Sequence, residues 1–181
     1  MAMDKTMIAN HYGNAFFEVA KDQNDLAAIA KELDQLQTIL KAQPKLMAFM
    51  TSPQIKVEAQ QTVIAALKKD ASPLVTNLIQ MTYDYSRFEL LSQIINEFNK
   101  LYDEERQIVH VTVVTVSKLD EDQKQRLATA FAKRLGAKQV MINEEIDPSI
   151  IGGVILKSNS RIYDGSIKTK LEQIKRTLIK K

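Results

Sequence analysis

The chain has 181 residues, and 45% of them are hydrophobic, which is enough for one or two domains with their own cores. Its 25 Lys and Arg stand against 22 Asp and Glu, so the net charge is only mildly positive. The absence of cysteine excludes a disulfide scaffold and a thiolate metal site. No stretch approaches the roughly 18 apolar residues of a membrane span, and no apolar signal segment follows the first residues. We therefore expect a non-secreted protein whose association with a membrane comes through a partner or through the membrane surface.

The first half of the chain has the periodicity of α-helices. Apolar residues recur at spacings of three and four, as in the first helix with Tyr12, Ala15, Phe16 and Val19. Two serine-proline pairs, Ser52-Pro53 and Ser72-Pro73, each predict a helix start with a capping hydroxyl before the proline. The clearest stripe belongs to the last predicted helix and contains Phe88, Leu91, Ile94, Ile95, Phe98, Leu101 and Tyr102. The pattern predicts a six-helix bundle over residues 1–105.

After Arg106 the composition changes to that of β-strands. Residues 108–116 hold five valines, one isoleucine and two threonines, a β-branched content that disfavours a helix. Asp120 and Gln123 then predict a capped helix, which Gly136 closes. Further strands are predicted at 139–143 and 153–157, and a hairpin through Ser158-Asn159-Ser160 leads to a strand at 161–163 and a last helix. The order β-α-β-β-β-α predicts a small domain over residues 106–181, and the whole chain an α+β fold.

Apolar side chains recur at helical spacing in both predicted helices of the second half. We expect the stripe of the first helix to be buried, and the stripe of the last helix forms its seam. The predicted stripes are Leu127, Ala130, Phe131 and Leu135 in the first and Ile167, Leu171, Ile174 and Leu178 in the last. The last helix is basic, with Lys168, Lys170, Lys175, Arg176, Lys180 and Lys181 against the single acid Glu172. This charge is typical of a solvated helix face, while an acidic helix, phosphate or an anionic lipid surface is the alternative.

The most specific motif of the chain lies between the strands of the second half. It runs Ile146-Asp147-Pro148-Ser149-Ile150-Ile151-Gly152-Gly153-Val154 and is followed by Asp164-Gly165-Ser166. Asp147-Pro148 predicts a turn, because the proline ring fixes its own φ and disfavours helical angles in the residue before it. Gly152 and Gly153 permit angles and close approaches that a β-carbon forbids. The motif therefore indicates a way of orienting strands and a helix, which favours binding over chemistry.

Residue types suited to catalysis or metal binding are sparse in this sequence. The two histidines, His11 and His110, lie on opposite sides of the predicted domain boundary, and neither has a second ligand at metal spacing. We expect both at the surface or at the edge of a core. The sequence contains neither a phosphate-binding loop nor a dinucleotide fingerprint, and Ser166 lacks the glycines of a nucleophile elbow. We therefore expect no enzyme activity, no cofactor and no metal.

Nucleic-acid binding is the alternative that a small α+β domain with a basic tail leaves open. An RNA-binding sheet needs exposed aromatic side chains on its strands, and Tyr163 is the lone aromatic residue on the predicted strands. A Gly-x-x-Gly clamp is also missing, because Gly152 and Gly153 are adjacent and precede a strand. This alternative is therefore disfavoured.

The motif of the second half, together with Asp164-Gly165-Ser166-Ile167 and the basic run 170–176, resembles the signature of the delta subunit family of F-type ATP synthases. The mitochondrial oligomycin-sensitivity-conferring protein is a relative of that family. The resemblance extends over nearly the whole chain and includes the runs 12–18 and 86–91. Two glycines common in the family are absent, one in the hairpin at 157–161, where Asn159 can adopt the same left-handed angles, and one near Gln107.

The resemblance implies a non-catalytic stator subunit that joins the catalytic head of the synthase to its peripheral stalk. It implies two partners: the N-terminal helix of an alpha subunit on the helical half, and the C-terminal coiled coil of the b subunit on the other half. The expected location is the cytoplasmic face of the cell membrane, reached only through the complex, without nucleic acid and without a homo-oligomer. By analogy with the family, the predicted groove for the alpha-subunit helix comprises Tyr12, Ala15, Phe16, Val75, Leu78, Ile79 and Thr82.

Overall fold

A computed structural model describes residues 4–158 and 162–179, and the chain divides into two compact units, residues 1–102 and 103–181. Helices form the first unit, and helices with a four-stranded sheet form the second, which confirms the predicted α+β class. Most of the predicted Ser158-Asn159-Ser160 turn, including Asn159, and the basic residues Lys180 and Lys181 lie outside the described residues. Among the described helices, none is both long and apolar enough to cross a bilayer.

Six α-helices follow one another in the first part of the described chain, and a short 3-10 turn, Phe88–Leu90, precedes the sixth. Their bounds are α1 Lys5–Asp22, α2 Leu26–Ala42, α3 Pro44–Thr51, α4 Val57–Lys68, α5 Pro73–Asp84 and α6 Leu91–Arg106. The predicted stripe of the last helix is the centre of their common core. Phe98 is fully buried, and its ring makes edge contacts with Phe16 at 5.5 Å and Phe17 at 5.7 Å between ring centroids. Each such side chain contributes about 1.5–3 kcal/mol by leaving water.

Only one of the two serine-proline pairs begins a helix. The Ser72 hydroxyl accepts a hydrogen bond from the Val75 amide at 3.4 Å, and Pro73 occupies the first position of α5, as predicted. The prediction for Ser52-Pro53 was wrong, because α4 begins only at Val57. Ser52 instead follows α3 in an extended conformation. The Gln60 side-chain amide donates to carbonyls at this end of α3, including that of Met50 at 3.2 Å. Ser52 therefore lies at the end of α3 and not at the start of α4.

The second unit contains a sheet, two helices and a 3-10 turn at Pro148–Ile150. Its elements are β1 Ile108–Thr115, α7 Glu121–Leu135, β2 Gln139–Ile146, β3 Ile155–Ser158, β4 Ile162–Asp164 and α8 Ile167–Ile179. The strand order is β2-β1-β3-β4, with β1 and β2 parallel and the other neighbours antiparallel. The parallel pair requires the crossover that α7 supplies.

A small core lies between α7 and one face of the sheet. It contains Val111, Val113, Phe131, Val140 and Leu156, and half-buried apolar residues surround it. Asp120 and Gln123 form the predicted capping box at the start of α7, and Gly136 ends the helix at a φ of 67°. The prediction that Ala130 is buried was wrong: the row that faces the sheet runs through Leu127, Phe131 and Leu135 at four-residue spacing, and Ala130 lies beside it, exposed.

The apolar stripe of the last helix is accessible. It was predicted as the seam of that helix, and no described residue of α8 is buried. The stripe consists of Ile167, Leu171, Ile174 and Leu178, whose exposed fractions run from 43% to 71%. The periodicity of α8 therefore defines an apolar face that the described part of this chain leaves accessible.

Candidate partner-binding surfaces

An open groove lies between α1 and α5 on the helical unit. It has a volume of about 490 Å³, and its lining is apolar apart from a few polar groups. The lining residues are His11, Tyr12, Ala15, Phe16 and Val19 from α1 and Leu74, Asn77, Leu78 and Met81 from α5.

The structure separates the seven predicted groove residues into two sets. Tyr12, Ala15, Phe16 and Leu78 line the groove. Val75, Ile79 and Thr82 are buried in the bundle on another side of α5 and are not part of the lining. Val75 and Ile79 instead border a smaller hollow of about 210 Å³ beside α2 and α4, and the Thr82 hydroxyl donates to the Ile79 carbonyl at 2.9 Å. Helical spacing alone did not distinguish these two sides of α5.

Several lining residues were not among the predicted groove residues. Val19 is 44% exposed although it continues the apolar stripe of α1, and Leu74 and Met81 flank Leu78 on α5. The signal was present in the sequence, since all three continue at spacings of three or four from predicted residues.

One end of the groove carries a fixed cation. The Arg87 guanidinium donates a hydrogen bond to the Tyr12 hydroxyl. Its central carbon lies 5.3 Å from the centre of the Tyr12 ring and 6.0 Å from that of Tyr85. The Arg87 amide also donates to the Thr82 carbonyl at 2.7 Å, which anchors this residue just beyond the end of α5. Stacking and hydrogen bonding thus hold a positive charge at the edge of an apolar surface.

The motif residues of the second unit form a brace between the strands and α8. The Gly165 amide donates to the Val154 carbonyl at 2.9 Å, and the Ile167 amide donates to the Gly152 carbonyl at 2.9 Å. Gly153 has a φ of 80°, and a β-carbon there would collide with the Gly165 carbonyl oxygen. The absence of a β-carbon at Gly153 therefore permits the close approach of the two halves of the motif.

Two aspartates close the turns of this brace. Asp147 Oδ1 accepts from the Ser149 amide at 2.9 Å, and Asp164 Oδ1 accepts from the Ser166 amide at 2.8 Å. These backbone hydrogen bonds favour the charged carboxylates and lower the pKa of both aspartates below the ordinary range. The Thr169 hydroxyl adds a bond of 2.7 Å to Asp164 Oδ2, and the buried Ser166 accepts from the Thr169 amide at 3.2 Å as the cap of α8. Of the predicted signature residues, Gly152, Asp164 and Ser166 thus bond to the first turn of α8, Gly153 and Gly165 approach each other closely, and Asp147 and Pro148 begin the 3-10 turn.

Candidate chemistry elsewhere in the described part of the chain is limited. His110 is exposed, and its Nε2 lies 2.9 Å from Asp103 Oδ2. Burial raises the pKa of Asp103, and the neighbouring His110 partly opposes that rise. No group of three His, Asp or Glu side chains suited to a metal ion occurs among the residues searched, 4–158 and 162–179.

The sheet offers little to a single-stranded nucleic acid. Tyr163 does not present a free ring, because Phe131 contacts it edge-on at 6.1 Å and the Arg134 guanidinium lies 4.5 Å from its centre. Base stacking needs an exposed aromatic face, and the Tyr163 ring packs against the small core of the second unit.

These observations define an α+β protein with an apolar groove on one unit, an uncovered apolar helix face on the other, and a brace that positions that helix. A family model described as the ATP synthase delta (OSCP) subunit matches residues 8–178. The chain belongs to this family, which confirms the resemblance predicted from the sequence.

Individual relatives agree with the family assignment. ATP synthase subunit delta of Ligilactobacillus salivarius is 48% identical over 180 residues, covering 99% of this chain and 100% of the relative. The subunit of the same name from Lactiplantibacillus plantarum is 39% identical and covers 99% of both chains. A chain in the cryo-EM structure of the Toxoplasma gondii mitochondrial ATP synthase hexamer has the same fold, with a TM-score of 0.69 at 23% identity over 94% of this chain and 97% of that one.

Proposed function

We propose that this chain is the stator subunit that links the catalytic head of an F-type ATP synthase to the b-subunit stalk through two separate helix contacts. Its family consists of ATP synthase delta subunits, which belong to the peripheral stalk and are structural, not catalytic. The observation that carries the proposal beyond family membership is the open apolar groove between α1 and α5. A stator has to hold its partners while the rotor turns, so binding surfaces and not reactive groups are what the function requires.

The occupant proposed for the groove is the N-terminal helix of an alpha subunit. An amphipathic helix that docks into such a groove inserts apolar side chains at spacings of three and four. The lining of α1, with Tyr12, Ala15 and Val19, has the matching spacing and stays accessible. Arg87 at the Tyr12 end is only partly exposed and suits a carboxylate on the polar side of the incoming helix.

A pair of charge substitutions on neighbouring residues tests this contact. Ala15→Asp places a carboxylate in the groove, whereas Asn14→Asp places the same charge on an exposed residue outside the lining. Phe16 is less suitable, because it is buried against Phe98 and a charge there would unfold the bundle. The probe is a synthetic peptide of about 20 residues, which forms a helix of about 30 Å, from the N-terminus of the organism's own alpha subunit. Calorimetric titration with this peptide should show at least about tenfold weaker binding for Ala15→Asp and unchanged binding for Asn14→Asp.

Two outcomes of that titration contradict the proposal in different ways. If the parent chain does not bind the peptide, the alpha-subunit assignment fails. If the parent binds and Ala15→Asp binds equally well, with circular dichroism showing both variants folded, the contact lies elsewhere on the chain.

The partner proposed for α8 is the coiled coil of the b subunit. The stripe Ile167, Leu171, Ile174 and Leu178 has spacings of four, three and four residues, which is the seam of a helix that packs against another helix. Lys168, Lys170, Lys175 and Arg176 flank it with only Glu172 as a described acid, so an acidic helix is the complementary occupant.

Salt separates the electrostatic from the apolar part of this second contact. Raising the ionic strength from about 0.01 M to about 1 M shortens the Debye length from about 30 Å to about 3 Å. Binding of the soluble part of the organism's b subunit should weaken over this range. Binding of the alpha-subunit peptide should change less, because that groove's lining is mostly apolar and the Arg87 cation lies only at its end. A b-subunit affinity that is independent of salt would contradict the proposed role of the basic residues.

The proposed location is the cytoplasmic face of the cell membrane, since ATP synthase is a membrane-associated complex and the chain reaches it through other subunits. One chain is proposed for each complex, without homo-oligomers. A contact that resists torque over many rotations requires tight binding, and a nanomolar dissociation constant corresponds to about 12 kcal/mol. Buried apolar anchors supply such a free energy better than exposed charges do.

A further inference from the structure

Four residues other than glycine have a positive φ in the described part of the chain. Asn24, Ser86 and Gln107 each lie just beyond the end of a helix at a φ of 55°, where polar residues commonly terminate helices. Ile151 is different, because it is β-branched and has a φ of 68° and a ψ of −32°. A β-branched side chain in this region crowds its own backbone, so the conformation costs free energy that glycine would not lose.

The fold of the second unit gains little from the Ile151 side chain in return. Ile151 is 60% exposed, whereas its neighbour Ile150 is 3% exposed and supplies the buried contact of this turn. Gly152 and Gly153 show that the same loop uses glycine where the backbone requires it. An apolar, β-branched residue is therefore held in a strained and exposed place without compensation from this chain's own core.

Ile151 adjoins the start of the exposed stripe on α8. The next residue, Gly152, accepts a hydrogen bond from the Ile167 amide at 2.9 Å. It also faces the Ile167 side chain so closely that a β-carbon on residue 152 would lie 2.7 Å from Ile167 Cδ1. Ile167 is the first residue of that stripe. The strained residue thus lies one position from a direct contact with the surface proposed to bind the b subunit.

We infer that Ile151 is a partner-binding residue, which extends the apolar stripe of α8 and is buried by a helix of the b-subunit coiled coil. The inference rests on the proposed function of α8. The stripe's spacing of four, three and four residues specifies a helical occupant, and the basic flanks of α8 specify an acidic one. The strain at Ile151 is retained because the side chain contributes to binding, although it reduces the stability of the free chain.

A partner-binding role for Ile151 predicts that substitutions which relieve its strain raise the stability of the chain and weaken its binding to the partner. Substitutions of a purely structural residue do not produce this combination. Ile151→Gly and Ile151→Asn both relieve the strain, because glycine and asparagine accept a positive φ. Each should raise the thermal midpoint of the full chain and weaken its binding to the soluble, dimeric part of the organism's b subunit by about tenfold. Ile151→Val keeps both the branching and most of the apolar surface, so its midpoint and its affinity should stay close to those of the parent.

Each alternative outcome overturns the inference in a recognisable way. Equal affinities of parent, glycine and asparagine variants for the b subunit show that Ile151 is outside the contact. Weaker binding by the glycine variant alone assigns the effect to loop flexibility and not to the side chain. A lower thermal midpoint in both variants shows that Ile151 stabilises the fold. If the parent itself does not bind, the proposed function of α8 fails together with the inference, whereas the other outcomes refute the inference alone.

Discussion

Helices α6 and α8 carry the same kind of amphipathic pattern but lie in different surroundings. In α6 the apolar residues Leu91, Ile94, Ile95 and Phe98 are almost completely buried within the helical bundle. In α8 the apolar residues are mostly accessible, although their spacing is as regular. The periodicity of a helix therefore predicts which face is apolar, but it does not tell whether the same chain or another subunit covers that face.

The two units also position their surfaces by different means. In the helical unit, the groove lies between two packed helices, α1 and α5, and its lining residue Phe16 makes an edge contact with the buried Phe98. In the second unit, α8 depends on a brace with a left-handed glycine and two aspartate-closed turns. We therefore expect the first surface to be sensitive to large core substitutions and the second to single backbone and hydrogen-bond changes.

The largest expected effect on stability comes from comparing substitutions on the apolar faces of α6 and α8. Phe98→Ala should lower the free energy of unfolding by about 3–5 kcal/mol, because it removes a fully buried ring with edge contacts to Phe16 and Phe17. Leu171→Ala in α8 should change it by no more than about 0.5 kcal/mol, because the side chain is exposed. Urea unfolding followed by circular dichroism measures both. A comparable loss for Leu171→Ala would mean that this chain buries the stripe itself.

The next effect compares two left-handed glycines in the second unit. Gly153→Ala should destabilise by more than about 2 kcal/mol, because strain at a φ of 80° is added to a collision with the Gly165 carbonyl. Gly136→Ala is the matched control, with a φ of 67° but open space around the new methyl group, and should cost about 1 kcal/mol. Thermal melts of the two variants and the parent measure both losses of stability. Equal losses would show that the brace tolerates the added atom.

The smallest expected effect concerns the pH dependence of the brace. Hydrogen bonds lower the pKa of Asp147 and Asp164 in the folded chain, so their contribution is present above the unfolded pKa, about 4, and is lost as pH falls through the folded pKa. Asp164→Asn should therefore lower the thermal midpoint at neutral pH, and its difference from the parent should shrink below about pH 4. Thermal melts of the parent and the variant, from neutral pH to below about pH 4, test whether the difference in thermal midpoint shrinks. A difference that grows towards acid would contradict the assigned cause.

Asp147→Asn serves as the companion variant in that series. As in the Asp164 turn, the amide two residues further on donates to the Asp147 carboxylate. Asp164 also accepts a bond from a second donor, the Thr169 hydroxyl. We expect the same direction of effect, and combining both substitutions should remove more of the acid sensitivity than either one alone.

Local sequence signals predicted many of the elements of this fold. The valine-rich run became β1, the Asp120–Gln123 capping box begins α7, and Ser72-Pro73 begins α5. At Ser52-Pro53 a side chain outside the pair takes part, since Gln60, eight residues further along the chain, donates to the Ser52 carbonyl at 3.4 Å where Ser52 is extended. Local propensity works when the partners of a backbone group are near in sequence, and it fails when a distant side chain satisfies that group.

The residues predicted for the groove divide between two sides of α5. Tyr12, Ala15, Phe16 and Leu78 lie in it, while Val75, Ile79 and Thr82 lie in the bundle. The apolar residues of α5 occupy a wide arc opposite a polar face with Asn77, Gln80 and Asp84, so the sequence gives no preferred side within that arc. Which side of α5 stays open depends on the positions of α1, α2 and α4.

By itself, the amino-acid sequence determined the α+β class, the change from helices to strands after Arg106, and the motif that identifies the family. These features depend on backbone preferences and spacings within short segments, which a sequence states directly. Only the tertiary structure decided which apolar faces are buried, where the groove opens, and that Ile151 is strained and exposed. Burial and strain arise from contacts between segments that are distant along the chain, and a linear pattern does not specify them.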